Sequence, residues 1–377
     1  MINKKGRITY NQVKEFLLRR GFIVKKKSNK NLLNNDFKAL YYTFLSSFAL
    51  ILIFFLIPII IEFNKNIIVA SKETANNSKI NFEKVLNKKN LKKFESTDEG
   101  LDVEYLLEDI YTEEPSDNTV RFSARAIEKL FKDNDYNLTN VRKTKLVEPI
   151  PIDHLPIGIK AIENTKKKKN FFIKIVLPLI LEENNRIKLD RMQLFAILNK
   201  SNNSSAEKNW MNQKFKQYGV LNKDLLTLKI RMDVIPVSLT IAQAAKETGW
   251  GKSRFALEGN ALFGQWTWSG EGIKPAAADD DATHKVMKFK FLKTSVRAYL
   301  RNLNTHSSYK KFRLVRAVLR DNEKNLDSLI LVNYLDKYAA TGEKYIKILK
   351  KIIIQNNLKD FDDAKLMPSS IQLKSLI

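Results

Sequence analysis

Cysteine is absent from the 377 residues. Disulfides, thiolate nucleophiles and cysteine-based metal centres are thereby excluded. The compartment is not, since a chain without disulfides functions in either redox environment. Histidine is scarce: His154, His284 and His306 stand far apart, with no metal-ligand spacing. Metal-dependent amidase or peptidase chemistry therefore lacks its ligand clusters, and no cofactor or metal is expected. Acidic residues are few beside basic ones, 41 Asp and Glu against 66 Lys and Arg, for a formal net charge of +25. Such a surface favours polyanions: nucleic acid, anionic lipid or acidic cell-wall polymer. Lys, Asn and Ile run high throughout, as in AT-rich genomes, so part of the charge is default surface lysine. No zinc finger, Gly-rich RNA signature or clustered recognition helix accompanies it, which argues against a nucleic-acid partner. No internal repeat is visible.

What the chain does have is one long apolar run. Ala39 to Ile61 is 23 residues without a charge. At about 1.5 Å per residue it spans a hydrocarbon core of about 30 Å. Residues 1–38 carry eleven Lys and Arg and only Glu15 and Asp36 as acids. The positive-inside rule then puts the N-terminus in the cytoplasm and everything after Glu62 outside. The run is long and ends in Ile59-Ile60-Ile61, unlike a cleaved signal peptide. The expectation is a single-pass protein of the inner membrane with its folded part in the periplasm or outside.

The remaining organisation is expected as a polar spacer over 62–150, a folded domain over 151–358 and a tail over 359–377. Two short helices, 104–111 and 123–131, fit within the spacer. Pro149-Ile-Pro-Ile-Asp-His-Leu-Pro156 cannot hold a helix and makes a natural boundary. The apolar run around Pro178 is short and runs into Glu182 and Glu183, so it reads as a buried segment and not a second span. Helical patterning predicts helices over 187–199, 206–217, 222–230, 236–248, 293–304, 309–320, 325–337 and 342–355. Between Phe263 and Phe291 a Gly-rich, alternating texture predicts a loop and a short hairpin.

Residues 233–266 read DVIPVSLTIAQAAKETGWGKSRFALEGNALFGQW. Pro236 suits a helix start and Gly249 a left-handed helix end. Ala242, Ala244 and Ala245 let another helix approach closely. Glu247 then lies in the last turn, beside the helix's negative end, where its charged form is disfavoured. Burial next to Trp250 and Phe263 would raise its pKa further, as a general acid for glycoside cleavage requires. An exposed Glu on an amphipathic helix is the bland alternative.

The string Ala242-Gln243-Ala244-Ala245-Lys246-Glu247-Thr248-Gly249-Trp250-Gly251-Lys252-Ser253, followed by Asn260-Ala261-Leu262-Phe263-Gly264, resembles the bacterial glucosaminidase family, glycoside hydrolase family 73. The likeness is to its Bax-type members in particular and, more distantly, to flagellar peptidoglycan hydrolases. Thr248 replaces the usual Ser. The resemblance extends over roughly 150–358 and leaves residues 1–150 uncovered. It implies a mainly helical, lysozyme-like α+β fold with a small β-hairpin lobe and a groove for a peptidoglycan glycan strand. The implied activity is cleavage at N-acetylglucosamine, with Glu247 as proton donor. Alternatives are a catalytically weak wall-binding module or a muramidase; no protein partner is indicated. Tyr338, in Tyr338-Ala339-Ala340-Thr341-Gly342-Glu343-Lys344-Tyr345, matches a family Tyr near the cleaved sugar, with a spacing one residue longer than usual. It is also what a core aromatic at a helix end looks like. The second carboxylate is open between Glu271, Asp279, Asp280 and Asp281, the last three equally well a solvated turn, and the substrate's own acetamido group. Trp250, Asn260, Phe263, Gln265, Trp266 and Trp268 are the implied substrate-binding residues, Trp250 equally well a core side chain.

Overall fold

Polar caps start the first two helices. The Ser123 hydroxyl accepts from Ala126 N–H and the Asn137 side chain from Asn140 N–H, opening α1 (Ala124–Asp133) and α2 (Leu138–Thr144). Ile127 and Phe131, one helical turn apart, form the buried face of α1. This computed structural model describes residues 121–267, 272–275 and 284–368, with Leu107 and Ile110. The expected cytoplasmic tail, the anchor over 39–61, most of the spacer, Trp268, Glu271 and Asp279–Asp281 lie outside the described residues. Among the described residues no helix is long and apolar enough to cross a membrane.

After β1 (Leu146–Val147) and the Pro-rich stretch comes α3 (Thr165–Leu198), a single helix of 34 residues. It joins the apolar run around Pro178 to the helix expected over 187–199. Phe171 to Leu181 is buried except at the Lys174 position, the mark of a helix enclosed by neighbours. Pro178 has no N–H to give the carbonyl four residues back, yet tertiary packing carries the helix through. Lys166, Lys167, Lys168 and Lys169 crowd its first turns, with no acid in the first turn to offset the positive helix end.

α4 (Ser205–Gln217) opens on a capping box between Ser204 and Glu207, and α5 (Leu225–Arg231) on the Asp224 side chain. α6 (Val237–Thr248) is the centre of the fold: Val237 to Ala245 are all buried. It packs against α3, the late helix over Glu343–Gln355, and the turn Leu358–Phe361. α7 (Arg254–Gly259), which helical patterning did not predict, starts at Ser253, whose hydroxyl accepts from Ala256 N–H. The expected hairpin is a three-stranded antiparallel lobe of β2 (Trp266–Thr267), β3 (Gly272–Ile273) and β4 (Lys285–Met287), with β4 in the middle. α8 (Leu292–Thr305) and α9 (Lys310–Asp321) match the expected spans closely.

The helix expected over 325–337 is cut short. Asp327 caps α10 (Ser328–Leu331), a tighter turn follows over Val332–Tyr334, and the chain then bends through Gly342 at φ +48° before α11 (Glu343–Gln355). Tyr338 is therefore carried on a turn. β5 (Lys365–Leu366) pairs in parallel with β1, register Leu146 to Lys365. Arg142 of α2 bonds Asp360 and the Asn356 carbonyl. The boundary expected at 150 thus falls inside the packed body, as does the start of the expected tail at 359. Pairing between β1 and β5 gives the reason: the two flanks complete each other. Leu107 and Ile110, from the stretch expected as a short helix over 104–111, are buried with Val286, Met287 and Phe289 of the small lobe.

One contact sets a pH dependence. Asp362 accepts from Ser238 N–H at 2.8 Å and from its hydroxyl at 2.9 Å, capping the first turn of α6. Burial pushes the Asp362 carboxyl up to about 6, against the Ser238 hydrogen bonds. A folded pKa above the unfolded one gives stability that is full below about pH 4 and is lost as pH rises through about 6. Asp362→Asn is expected to flatten this slope, by an amount on the order of 1 kcal/mol between pH 4 and 7. Urea unfolding of both proteins across that range is the check.

Candidate active site

The end of α6 is built by one hydroxyl and three left-handed residues. Gly249, Trp250 and Gly251 have φ of +56°, +62° and +82°. Thr248 Oγ1 donates to Ala244 O at 2.7 Å and accepts from Gly251 N–H at 2.8 Å, so the Thr at this position keeps the hydroxyl the turn uses. A Cβ on Gly251 would stand 2.8 Å from Ile159 Cδ1 and 3.0 Å from Phe172 Cδ2, which reserves the position for glycine. Trp250, in a conformation costly for a side chain of its size, packs edge-on against Phe172 and takes the Lys169 ammonium over its ring at 5.0 Å.

This turn holds Glu247 half-buried. Burial pushes its carboxyl above the usual carboxylate range, opposed by a hydrogen bond from Tyr345 and by the charge of Lys246. Oε1 is buried and has no hydrogen-bond partner. The backbone of Gly264 passes so close that a Cβ there would lie 3.8 Å from Oε2. An unpartnered, desolvated carboxyl oxygen favours the protonated acid.

A chain of donors runs through the core to this acid. The Tyr299 hydroxyl donates to Gln243 Oε1 at 2.5 Å, and Gln243 Nε2 donates to the Tyr345 hydroxyl at 3.0 Å. The Tyr345 hydroxyl meets Glu247. Gln243 and Glu247 are four apart on α6 and share a face, which is the one signal in the sequence that pointed to Gln243. Sequence reasoning misses Tyr299 and Tyr309 and reaches Tyr345 only as the second Tyr of the Tyr338 segment. They come from α8, the turn before α9, and α11, and converge only in the fold.

Tyr338 joins this cluster. Its ring stacks on Tyr345 at 5.5 Å and 9°, and its hydroxyl donates to the Phe263 carbonyl at 2.9 Å. Phe263 itself is buried and stacked on Tyr299 at 3.9 Å. Tyr338 therefore ties down the Phe263–Gly264 backbone that faces Glu247. Tyr338→Phe is expected to cost about 1 kcal/mol of stability for the lost hydrogen bond. Urea unfolding of the two proteins is the check.

The other expected binding residues separate. Gln265 is buried beside Gly264, and neither side-chain amide atom has a hydrogen-bond partner. Trp266 is exposed at 43% and lies against His284, ring centroids 4.5 Å apart. Asn260 is taken up by the fold: it is buried in a left-handed conformation, φ +51°, and its amide donates to the carbonyls of Phe289 and Lys290. It fastens α7 to the segment after β4 and contacts His154. Trp250 serves packing at the turn, as described above.

Residues 222–358 match the family model described as Glucosaminidase, mannosyl-glycoprotein endo-beta-N-acetylglucosaminidase. Protein bax of Escherichia coli (strain K12) is 33% identical over 187 residues, which is 47% of this chain and 66% of that protein. The chain thus spans slightly less than two thirds of that relative's length. Among solved structures, the catalytic domain of the autolysin Auto from Listeria monocytogenes is 20% identical, covering 46% of this chain and 97% of that domain, with a TM-score of 0.28.

Proposed function

We propose, on the premise that residues 222–358 are a domain of the glucosaminidase family, that this protein is a peptidoglycan hydrolase that cleaves the glycan strand at N-acetylglucosamine. The observation that carries this reading is Glu247, a carboxyl raised by burial whose Oε1 has no partner. The α6 turn presents it beside the Gly264 backbone, two residues before β2 of the small lobe.

In this reading the Glu247 proton goes to the glycosidic oxygen as the C1–O bond breaks, and the leaving sugar departs as an alcohol. Positive charge develops on the ring, and water supplies the new hydroxyl at C1, with its proton restoring the acid or its partner. Glu271, which directly precedes β3, is the proposed second carboxylate; the acetamido group of the substrate is the alternative nucleophile. Gln265 and Trp266 are proposed to meet the sugars, one through its amide and one through its flat face. Trp268 is a further proposed sugar contact, on the sequence resemblance alone. A wall-binding module would have no use for a raised carboxyl, so catalysis is the preferred reading. Purified peptidoglycan in a gel should clear around the refolded protein; absence of clearing at every pH from 4 to 8 would leave only the binding reading.

The same proposal places the protein at the inner membrane, anchored by 39–61, with 62–377 in the periplasm or outside. The support is the uncharged run and the eleven cationic residues before it. A reporter fused after Ile377 is expected to be active only when it functions outside the cytoplasm. Activity of a cytoplasm-dependent reporter at that position would reverse the topology.

A further inference from the structure

A second recess lies apart from Glu247. Residues of α2, the N-terminal third of α3 and the end of α11 enclose a cleft of about 680 Å³, within the range of ligand-binding pockets. Its cations are Arg142, Lys166, Lys169 and Lys174, and no acid lines it. Arg142 is matched by Asp360 and Lys174, over the ring of Phe131, also feels the charge of Glu128, whereas Lys169 lies over the ring of Trp250. Four cations around one cleft with no acid in its lining favour an anion there. The rest of the lining is rich in carboxamides, among them Asn170 and Asn357. Carboxamides offer donors and acceptors together, which a peptide backbone uses fully and a phosphodiester, having only acceptors, does not. Lys169 links this cleft to the Trp250 turn that follows Glu247.

We infer that this cleft binds a carboxylate-bearing peptide, namely the stem peptide of the wall strand whose glycan lies at Glu247. The identity of that peptide rests on the hydrolase reading; the anion-binding chemistry of the cleft does not.

Calorimetric titration of the full chain with a stem tetrapeptide, and with the same peptide amidated at its carboxyls, tests this without any turnover. The free-carboxylate peptide is expected to bind at least ten times more tightly, with affinity falling as salt rises. Lys166→Glu with Asn170→Asp should abolish that preference. Acids near the start of α3 suit the helix end, so the variant is expected to fold. Equal affinity for the two peptides, no binding of either, or a preference that survives in the variant would overturn the inference. So would a glycerol phosphate polymer binding where the peptide does not. Failure of the hydrolase reading looks different: the peptide still binds selectively while the wild-type chain releases no wall fragments.

Discussion

Glu247→Gln is expected to abolish wall hydrolysis and leave the fold intact. Gln fills the same space at the end of α6, and the Thr248 hydroxyl network that shapes the turn is untouched. The amide has no proton to give the departing oxygen. General acid catalysis contributes about 10²- to 10⁴-fold, so turnover should fall by at least about 100-fold. Stability should move the other way. Burial raises the Glu247 carboxyl above its unfolded value, so the ionised form costs the folded state more as pH rises past the ordinary carboxylate range. Removing the charge should therefore hold or raise the melting temperature at pH 7. For the wild type, the protonated acid is lost as pH rises through its folded pKa, and activity should decline with it. Rates on purified peptidoglycan together with thermal melts of both proteins check the two halves; a variant that turns over near the wild-type rate refutes the assignment of the acid.

The largest effect on stability is expected from Arg316→Met. Arg316 is fully buried on α9. Its guanidinium donates to the carbonyls of Ile230, Asp233 and Val234 and to Asn304 Oδ1, at 2.7 to 3.2 Å. The three carbonyls belong to the end of α5 and the loop that feeds α6, and Asn304 to α8, so one side chain pairs the orphan carbonyls ahead of α6 and ties them to α8. Asp233 lies 3.8 Å from Arg316 Nε and is bonded twice by the half-exposed Arg320. Burial pushes the Asp233 carboxyl up, but Arg316 and Arg320 hold it below the usual carboxylate range. Met matches the stem of Arg and removes its charge and donors. With one partner of a buried network gone, the loss should be about 3–5 kcal/mol, a large part of the 5–15 kcal/mol typical of a domain. Urea unfolding measures it; a loss under about 1 kcal/mol would show that Arg320 alone suffices.

Local chemistry made α6 legible from sequence. Pro at its start and Gly at its end are stop signals that depend on a few residues, and the helix runs between them as Val237–Thr248. The position of Glu247 in the last turn followed from the same signals. Long-range effects were not legible in this way. The tyrosines around Glu247 are spread from Tyr299 to Tyr345 and meet only when α8 and α11 pack with α6. Asn260 resembled a binding residue because it sits in a motif, whereas its left-handed backbone and the two carbonyls it serves are visible only in three dimensions. The helices before Pro149 looked like spacer because each is short and polar by itself. The burial of α2 depends on Asp360 and the segment around β5, more than 200 residues later, and that of α1 on Phe171 of α3. The helix expected over 325–337 shows the converse error: its apolar spacing continues, but the Asp327 cap and the turn around Gly342 break the backbone.

The central claim is that the chain cuts the wall strand at N-acetylglucosamine with Glu247 as the acid. Mass spectrometry of fragments released from purified peptidoglycan by the wild-type protein tests it most directly. The account predicts fragments ending in reducing N-acetylglucosamine, absent from the Glu247→Gln digest. Fragments ending in reducing N-acetylmuramic acid, or equal release by the two proteins, would contradict it.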